Sequence, residues 1–501
     1  MTVGALRGIA FRIEGLGIPT WALEAWFLTI ISVREGVEQV LFGRPFGLHA
    51  YYHHAFFFLV TLAAGILALS LWTRTDIVRS ARIVAAGYIL VVLPPLLDRF
   101  LFRRAGGYEY AMPRDFLRRA ATFFWGAPGT GKGIFVEAVL LIVLAFVYAQ
   151  LKTRSFWRSA GAALTLYGIF AIGGTPRLFL PLPRMSAPGV HAARHIVYFG
   201  FYLALFSALL AAAFLVRRRK LLRAALRDGV SFRAAHFALM AGTGVFFNAG
   251  IRARPLPGWL FGATAIITAL LVWLATVLWN NAHDIEIDRR SAPGRALVLG
   301  WVSPGEYIRL GRAVALFALF VSGVLGAKAF MIVGLALVSA HAYSAPPLRL
   351  RARLGSNAFI GWGSFLMFYL GYFAWTTIGE WPLGRVPMTV SLVIFVALSL
   401  ATVTKDAKDY EGDLEAGVRT VFTVFGREMG GRLAAAGLFL SLLTPLAFFS
   451  GTADVLVLSL IALAAAVGFE RTRKLVIPFG AYGAAFAYAA ARAAGLIGGA
   501  L

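Results

Sequence analysis

The sequence predicts an all-α polytopic membrane protein, and three observations carry that reading. Of its 501 residues, 59% are hydrophobic and only 14% charged, whereas a soluble chain is usually about a quarter charged. Mean hydropathy is +0.76, so there is too little polar surface to cover a water-facing exterior, and lipid must be the main solvent. The apolar residues are gathered into runs of about 20, the length a helix needs to cross a bilayer, and about fifteen such runs can be found.

Six runs come first, near 20–41, 52–72, 83–100, 133–150, 158–174 and 196–216. A basic run follows, made of Arg217, Arg218, Arg219, Lys220, Arg223 and Arg227. Nine more lie near 233–250, 258–280, 308–325, 329–345, 357–376, 387–403, 433–449, 453–469 and 475–498. Two membrane domains in tandem are therefore expected, 1–225 with about six helices and 226–501 with nine. The opening stretch MTVGALRGIAFRIEGLGIPTW has no small-residue cleavage site after a short apolar core, so no removable signal peptide is expected.

A net charge of +25 would point to nucleic acid in a soluble chain. Here the arginines sit in short loops between apolar runs, where positive charge keeps a loop cytoplasmic, and no separate basic face exists to bind nucleic acid. Placing the 217–233 linker in the cytoplasm puts four later basic loops there. They hold Arg289, Arg290 and Arg295; Arg349, Arg351 and Arg353; Lys405, Lys408, Arg419 and Arg427; and Arg471, Arg473 and Lys474. On the other side Arg252 and Arg254 are the main exceptions. The N-terminal half is less regular, because its loop near 101–132 carries Arg103, Arg104, Arg114, Arg118 and Arg119 on the outer side. A prokaryotic cytoplasmic membrane is the expected setting. Cysteine is absent, which removes disulfides, thiolate catalysis and zinc–sulfur sites.

Acidic residues at a membrane face are costly, so clusters of them are functional candidates. One cluster is Asn280-Asn281-Ala282-His283-Asp284-Ile285-Glu286-Ile287-Asp288. Asn280, Asp284 and Asp288 are spaced by four, each turned only about 40° from the last around a helix, so one face carries all three. The other is Lys405-Asp406-Ala407-Lys408-Asp409-Tyr410-Glu411-Gly412-Asp413, with Asp409 and Asp413 again four apart. Both fall on the cytoplasmic side of the topology above. Two facing carboxylate clusters repel unless cations lie between them, and magnesium commonly joins carboxylates to substrate phosphates. Two other readings remain open on the residues alone: solvated, salt-bridged loops, and the ion sites of a cation-coupled transporter. Transporter sites usually lie near the midplane on broken helices, whereas these clusters sit at helix ends beside basic loops.

At these residues the sequence resembles the UbiA superfamily of intramembrane prenyltransferases. N-N-A-H-D-I-E-I-D-R-R-S-A-P-G-R-A-L-V-L-G-W-V-S-P is similar to the family's first signature, with Pro293, Arg295, Gly300 and Ser303 in step. T-K-D-A-K-D-Y-E-G-D-L-E-A-G-V-R-T-V-F-T-V-F-G is similar to the second, including Gly417, Thr420 and Gly426. Between them A-Y-S-A-P-P-L-R-L-R resembles the Tyr-Ser-x-Pro-Pro segment at Tyr343, Ser344, Pro346 and Pro347. The likeness covers roughly 230–501, with two departures: Asn281 stands where the family usually has its first aspartate, and Ala401 where a tyrosine is common.

The resemblance implies a nine-helix UbiA-type bundle and a set of roles. Asn280, Asp284, Asp288, Asp409 and Asp413 would hold Mg2+ against a prenyl diphosphate. Lys405, Arg295 and Arg349 would balance the departing diphosphate, with Tyr343 and Ser344 as hydrogen-bond donors and Asp406 in acceptor activation or support. Cations neutralise the charge that builds as the allylic C–O bond breaks, and an apolar wall keeps water from the carbocation. The acceptor implied is lipophilic. A quinone-type aromatic is slightly preferred over a glycerol-phosphate lipid or a tetrapyrrole alcohol.

Residues 1–225 resemble no family clearly. His49/His53 and His191/His195 are i, i+4 pairs, each able to face one way on a helix. H-A-Y-Y-H-H faintly resembles a histidine box of membrane di-iron oxygenases, though that chemistry needs more histidines than are here. Interfacial histidines beside Tyr51 and Tyr52 are the plainer account. Gly126-Ala127-Pro128-Gly129-Thr130-Gly131-Lys132-Gly133 fits a phosphate-binding loop except at Gly133, but it follows no strand, so a Gly/Pro loop without ATP is expected. Asp98 and Glu137 would line a polar path or pair with a neighbour such as Arg99. A binding or assembly module that presents the acceptor is a further possibility for this half.

Overall fold

The computed structural model describes residues 3–43, 47–103, 110, 113–125, 130–180, 190–248, 255–374 and 384–493, and among them there are helices but no strands. The chain divides into two compact units, 1–222 and 223–501. The first holds α1 (Val3–Gly15), α2 (Thr20–Phe42), α3 (Leu48–Thr73), α4 (Ile77–Gly87, continued by irregular turns to Leu101), α5 (Lys132–Thr153), α6 (Phe156–Gly173) and α7 (Val190–Arg217). The boundary falls within α8 (Arg219–Gly229). The second unit continues with α9 (Phe232–Phe247), α10 (Pro255–His283), α11 (Ile285–Ser291), α12 (Pro304–Ser322), α13 (Ala327–Ser344) and α14 (Ala358–Tyr372). It ends with α15 (Arg385–Ala401), α16 (Asp406–Glu415), α17 (Val421–Leu443), α18 (Thr452–Thr472) and α19 (Val476–Ala493).

Within the described residues all fifteen apolar runs are helical, but fewer are full spans than their number suggests. Among the described residues ten helices are long and apolar enough to cross a bilayer, or up to twelve if each of two bent pairs is one span. The pairs are α1 with α2, bent by 111°, and α8 with α9, bent by 67°. The shortfall has a local cause. Ala358–Tyr372 and Val476–Ala489 are short, and Arg158 and Ser159 dilute the start of α6. The linker expected at 217–233 is helical from Arg219, because R-K-L-L-R-A-A-L-R-D-G combines strong helix formers with an amphipathic pattern.

Packing in the second unit depends on small residues. Ala241 and Gly244 of α9 meet Gly371 of α14 so closely that a Cβ on Gly244 would overlap the Phe368 carbonyl, and one on Gly371 the Ala241 carbonyl. Such backbone approach replaces the hydrophobic drive that lipid does not supply between helices. Asn248 then closes the seam, its side-chain amide donating to the Tyr372 and Ala374 carbonyls at 2.8 Å each. α10 packs on α9, α12 and α13, α14 on α13 and α15, and α17 on α15 and α18. In the first unit α3 is the centre, packed on α6 and α7. Here Glu14, 2% exposed, accepts from Tyr148 and Lys152 at 2.9 and 2.8 Å. Asp98 takes the Gly133 backbone N–H at 2.8 Å rather than pairing with Arg99. Gly126–Gly129 of the glycine-rich loop, with Arg104, Arg252 and Arg254, lie outside the described residues.

Candidate active site

The first acidic motif is not one uninterrupted helix. α10 ends at His283, Asp284 adopts φ −109°, ψ 14°, and α11 begins at Ile285. The four-residue register survives the break, because the Asp284 N–H donates to the Asn280 carbonyl at 3.0 Å and the Asp288 N–H to the Asp284 carbonyl at 2.9 Å. The second motif follows a similar break. α15 ends at Ala401, a tight turn runs over Thr402–Lys405, and α16 carries Asp406, Asp409 and Asp413. α11 and α16 pack together, and Arg290 pairs with Glu415 across them. The glycines of the downstream signatures have a backbone reason to be there: Gly300 at φ 67°, Gly417 at φ 68° and Gly426 at φ 80° hold left-handed conformations that side chains disfavour.

Asp284, 1% exposed, and Asp413, 3% exposed, are brought together by one side chain. The Arg351 guanidinium pairs with Asp284 and lies 3.7 Å from Asp413 Oδ1. Arg349 Nη2 lies 3.5 Å from the other Asp284 oxygen. Despite these charges, neither Asp284 oxygen nor Asp413 Oδ1 accepts a well-formed hydrogen bond. Asp288 pairs with Arg295, which also donates to Asn281 Oδ1 at 2.8 Å. Burial pushes the Asp288 carboxyl above its ordinary value; Arg295 pulls it down, and the charge of Asp409 adds to the rise. Asp288 thus feels the second motif directly.

Asn280 is half-buried on the last turn of α10, and Asp409 lies 3.9 Å from Lys408. Lys405 donates to the Tyr343 hydroxyl at 3.3 Å and lies 3.6 Å from Asp406, which accepts from Asn357 at 3.0 Å. The Ser344 hydroxyl is buried with no partner among the described residues. From this end an aromatic stripe runs along α14. Phe359, Trp362, Phe365 and Tyr369 are all half-buried, with ring centroids 5.3 Å apart for Trp362–Phe365 and 4.8 Å for Phe365–Tyr369. At 1.5 Å per residue the stripe is about 15 Å long. Tyr343 stands 6.2 Å from its first ring. A groove of about 380 Å³ lies between Trp279 of α10 and Leu337, Val338 and His341 of α13, and is lined also by Pro346, Pro347 and Leu348.

Sequence reasoning missed three residues. Arg351 passed as an orienting loop charge, although it stands two residues from Arg349 in L-R-L-R. Asn357 carries no motif. Asp228 ends the basic run and accepts from Asn281 at 3.1 Å and Tyr307 at 2.8 Å; a lone acid after six cations was the available signal.

The profile of the UbiA prenyltransferase family matches residues 235–487. The chain belongs to that family. UbiA membership makes it an integral-membrane prenyltransferase and sets the transporter reading aside. A digeranylgeranylglyceryl phosphate synthase of Methanothermobacter thermautotrophicus is 27% identical over 214 residues, 41% of this chain and 72% of that one. A protein of the same name from Saccharolobus solfataricus is 29% identical over 192 residues, 37% of this chain and 66% of that one. The solved structure of a UbiA homolog from Archaeoglobus fulgidus bound to DMAPP and Mg2+ is 19% identical with a TM-score of 0.39, covering 53% of this chain and 98% of that one.

Proposed function

We propose that residues 223–501 transfer a prenyl group from a prenyl diphosphate to a lipophilic acceptor, with Mg2+ held between the two acidic motifs. The observation that carries this reading is the trio of buried carboxylate oxygens on Asp284 and Asp413 that lack well-formed hydrogen bonds. Each of the three faces a guanidinium, so their burial is only partly offset and they remain open to a further cation. An all-oxygen donor set of Asn280, Asp284, Asp288, Asp409 and Asp413 suits a hard cation, so the residues present fit magnesium. Bound there, magnesium supplies positive charge to the diphosphate as it leaves.

The chain's own residues do the rest. Lys405, held between Tyr343 and Asp406, offers its ammonium to the departing diphosphate, and Arg349 adds a second charge. Asp406 acts in this reading by positioning Lys405 and Asn357. Arg295 is committed to Asp288 and Asn281, so it steadies the first motif and meets substrate only if those contacts yield. Ser344 has a spare hydroxyl for a substrate oxygen. The allylic C–O bond breaks, the C1 carbon bonds to the acceptor, and the acceptor loses a proton while diphosphate departs. The aromatic stripe from Phe359 to Tyr369 offers ring faces to the cation and an apolar path for the tail.

The two relatives named as digeranylgeranylglyceryl phosphate synthases shift the acceptor preference from a quinone-type aromatic to a prenylated glyceryl phosphate. The positive-inside rule supports a site on the cytoplasmic side of the membrane. The test uses the full chain in detergent with labelled geranylgeranyl diphosphate, and offers geranylgeranylglyceryl phosphate or a hydroxybenzoic acid, with Mg2+ or chelator. Transfer to the glyceryl phosphate that stops with chelator is the expected result. Turnover indifferent to chelation would overturn the metal reading, and transfer only to the aromatic acid would overturn the acceptor.

A further inference from the structure

The N-terminal unit contains a histidine cluster that prenyl transfer does not use. His53 and His54 lie in the first two turns of α3, and His195 in the second turn of α7, a helix packed on α3. The i, i+4 pairs suggested by spacing do not define the cluster. It forms instead between helices, and His191 has a side chain outside the described residues. One ring nitrogen from each of His53, His54 and His195 lies within 4.8 Å of the other two. His53 is 1% exposed. Its Nδ1 is 2.8 Å from His195 Nδ1, and its Nε2 is 2.6 Å from the Tyr110 hydroxyl. His54 Nδ1 faces Glu35 Oε2 at 3.0 Å, and Glu35 is in turn held by Arg34 at 2.8 Å.

We propose that His53, His54 and His195 bind one divalent transition-metal ion of the zinc class. Imidazole nitrogen is a borderline donor that suits zinc, copper, nickel or iron, whereas magnesium takes oxygen. The cluster and the carboxylate site therefore select different ions. Glu35 provides the outer carboxylate that metal-binding histidines usually have: it accepts the Nδ1 proton of His54, fixes the tautomer and leaves the other nitrogen's lone pair to coordinate. Tetrahedral coordination with bonds of about 2.0–2.1 Å asks for nitrogens about 3.3 Å apart. The 2.8 Å contact opens and the longest separation closes to reach that value, by small ring movements. The same contact is too short for haem held between His53 and His195, since a central iron needs its two axial nitrogens about 4 Å apart. Three imidazoles leave one tetrahedral position for water or a small ligand, the pattern of an ion that still exchanges a ligand. The side chain of His54 is 36% exposed, which gives the ion a way in.

The test is a titration of the full chain in detergent, stripped with chelator, with Co2+ alone and then Zn2+. One equivalent of Co2+ with tetrahedral d–d absorption, displaced by Zn2+, is expected. It should persist in an Asp284→Asn/Asp409→Asn double variant, and its affinity should fall tenfold or more in His195→Gln and His54→Gln. His54→Cys guards against loss by misfolding, since it keeps a ligand and should add a cobalt–sulfur charge-transfer band. No tetrahedral signal in the wild-type chain overturns the proposal. So does a signal abolished by the aspartate changes and untouched by the histidine ones, or a His54→Cys spectrum identical to wild type.

Discussion

Arg351 pairs with Asp284 at the end of one span and reaches Asp413, at the end of another, at 3.7 Å. Its side chain is 15% exposed and the two carboxylates less than 5%. One guanidinium therefore offsets charge from both acidic motifs at once, in surroundings where an unpaired carboxylate is expensive.

Removing that guanidinium should show the cost. Arg351→Ala is expected to lower stability by about 3 kcal/mol, the usual loss when one partner of a buried pair is deleted. Thermal unfolding in detergent measures it. Mg2+ should restore more stability to this variant than to the wild-type chain, because the cation supplies the missing charge. Equal Mg2+ responses would show that Arg351 and the metal do not share a field.

Asp284→Asn and Asp409→Asn test the ligand assignment from the other side. Each is expected to cut diphosphate release about 100-fold or more, in the range for losing one transition-state contact, while the folded chain persists. Asp284→Asn also removes the charge that Arg351 and Arg349 face, so its melting temperature falls further. Release at the wild-type rate in both variants would remove these residues from the reaction.

Asn281 invites the opposite change. Its amide donates to Asp228 and its carbonyl accepts from Arg295, so Asn281→Asp replaces a hydrogen bond with two facing carboxylates. Stability without metal should fall by about 1–3 kcal/mol, and Mg2+ should be bound more tightly because the site gains a negative charge. Calorimetric titration and melting curves with and without Mg2+ read the two effects separately.

The helix seam gives a prediction free of chemistry. Gly371→Ala sets a methyl against the Ala241 carbonyl and should destabilise by about 1–3 kcal/mol through overpacking. Gly168→Ala, in α6 with nothing within 4 Å, should be neutral or stabilise by up to about 1 kcal/mol. Equal effects at both positions would mean that the close approach of α9 and α14 does not hold.

Much of the fold was legible because lipid imposes a simple code: every long apolar run became a helix, as backbone groups in hydrocarbon require. The acidic motifs were legible because four-residue spacing survives even across the break at Asp284, where two backbone hydrogen bonds keep the register. The break itself was not, since no proline or glycine marks it and the cause is tertiary. Arg351 was hidden for a related reason. Nothing local separates it from Arg349 or Arg353, and only the folding of distant segments selects it. Spacing along α3 and α7 likewise paired His53 with His49, whereas contact between helices paired it with His195.

The joint at Asp284 has a mechanical consequence. A span in a thicker or thinner bilayer tilts or slides to match the hydrocarbon around it, and rigidly attached groups would travel with it. Asp288 instead rides on α11, a seven-residue piece fastened sideways to α16 by Arg290 and Glu415. α11 is thus tied at once to α10, by the backbone hydrogen bonds that cross Asp284, and to α16, by packing, so a shift of the long helix is shared by both acidic motifs instead of drawing them apart.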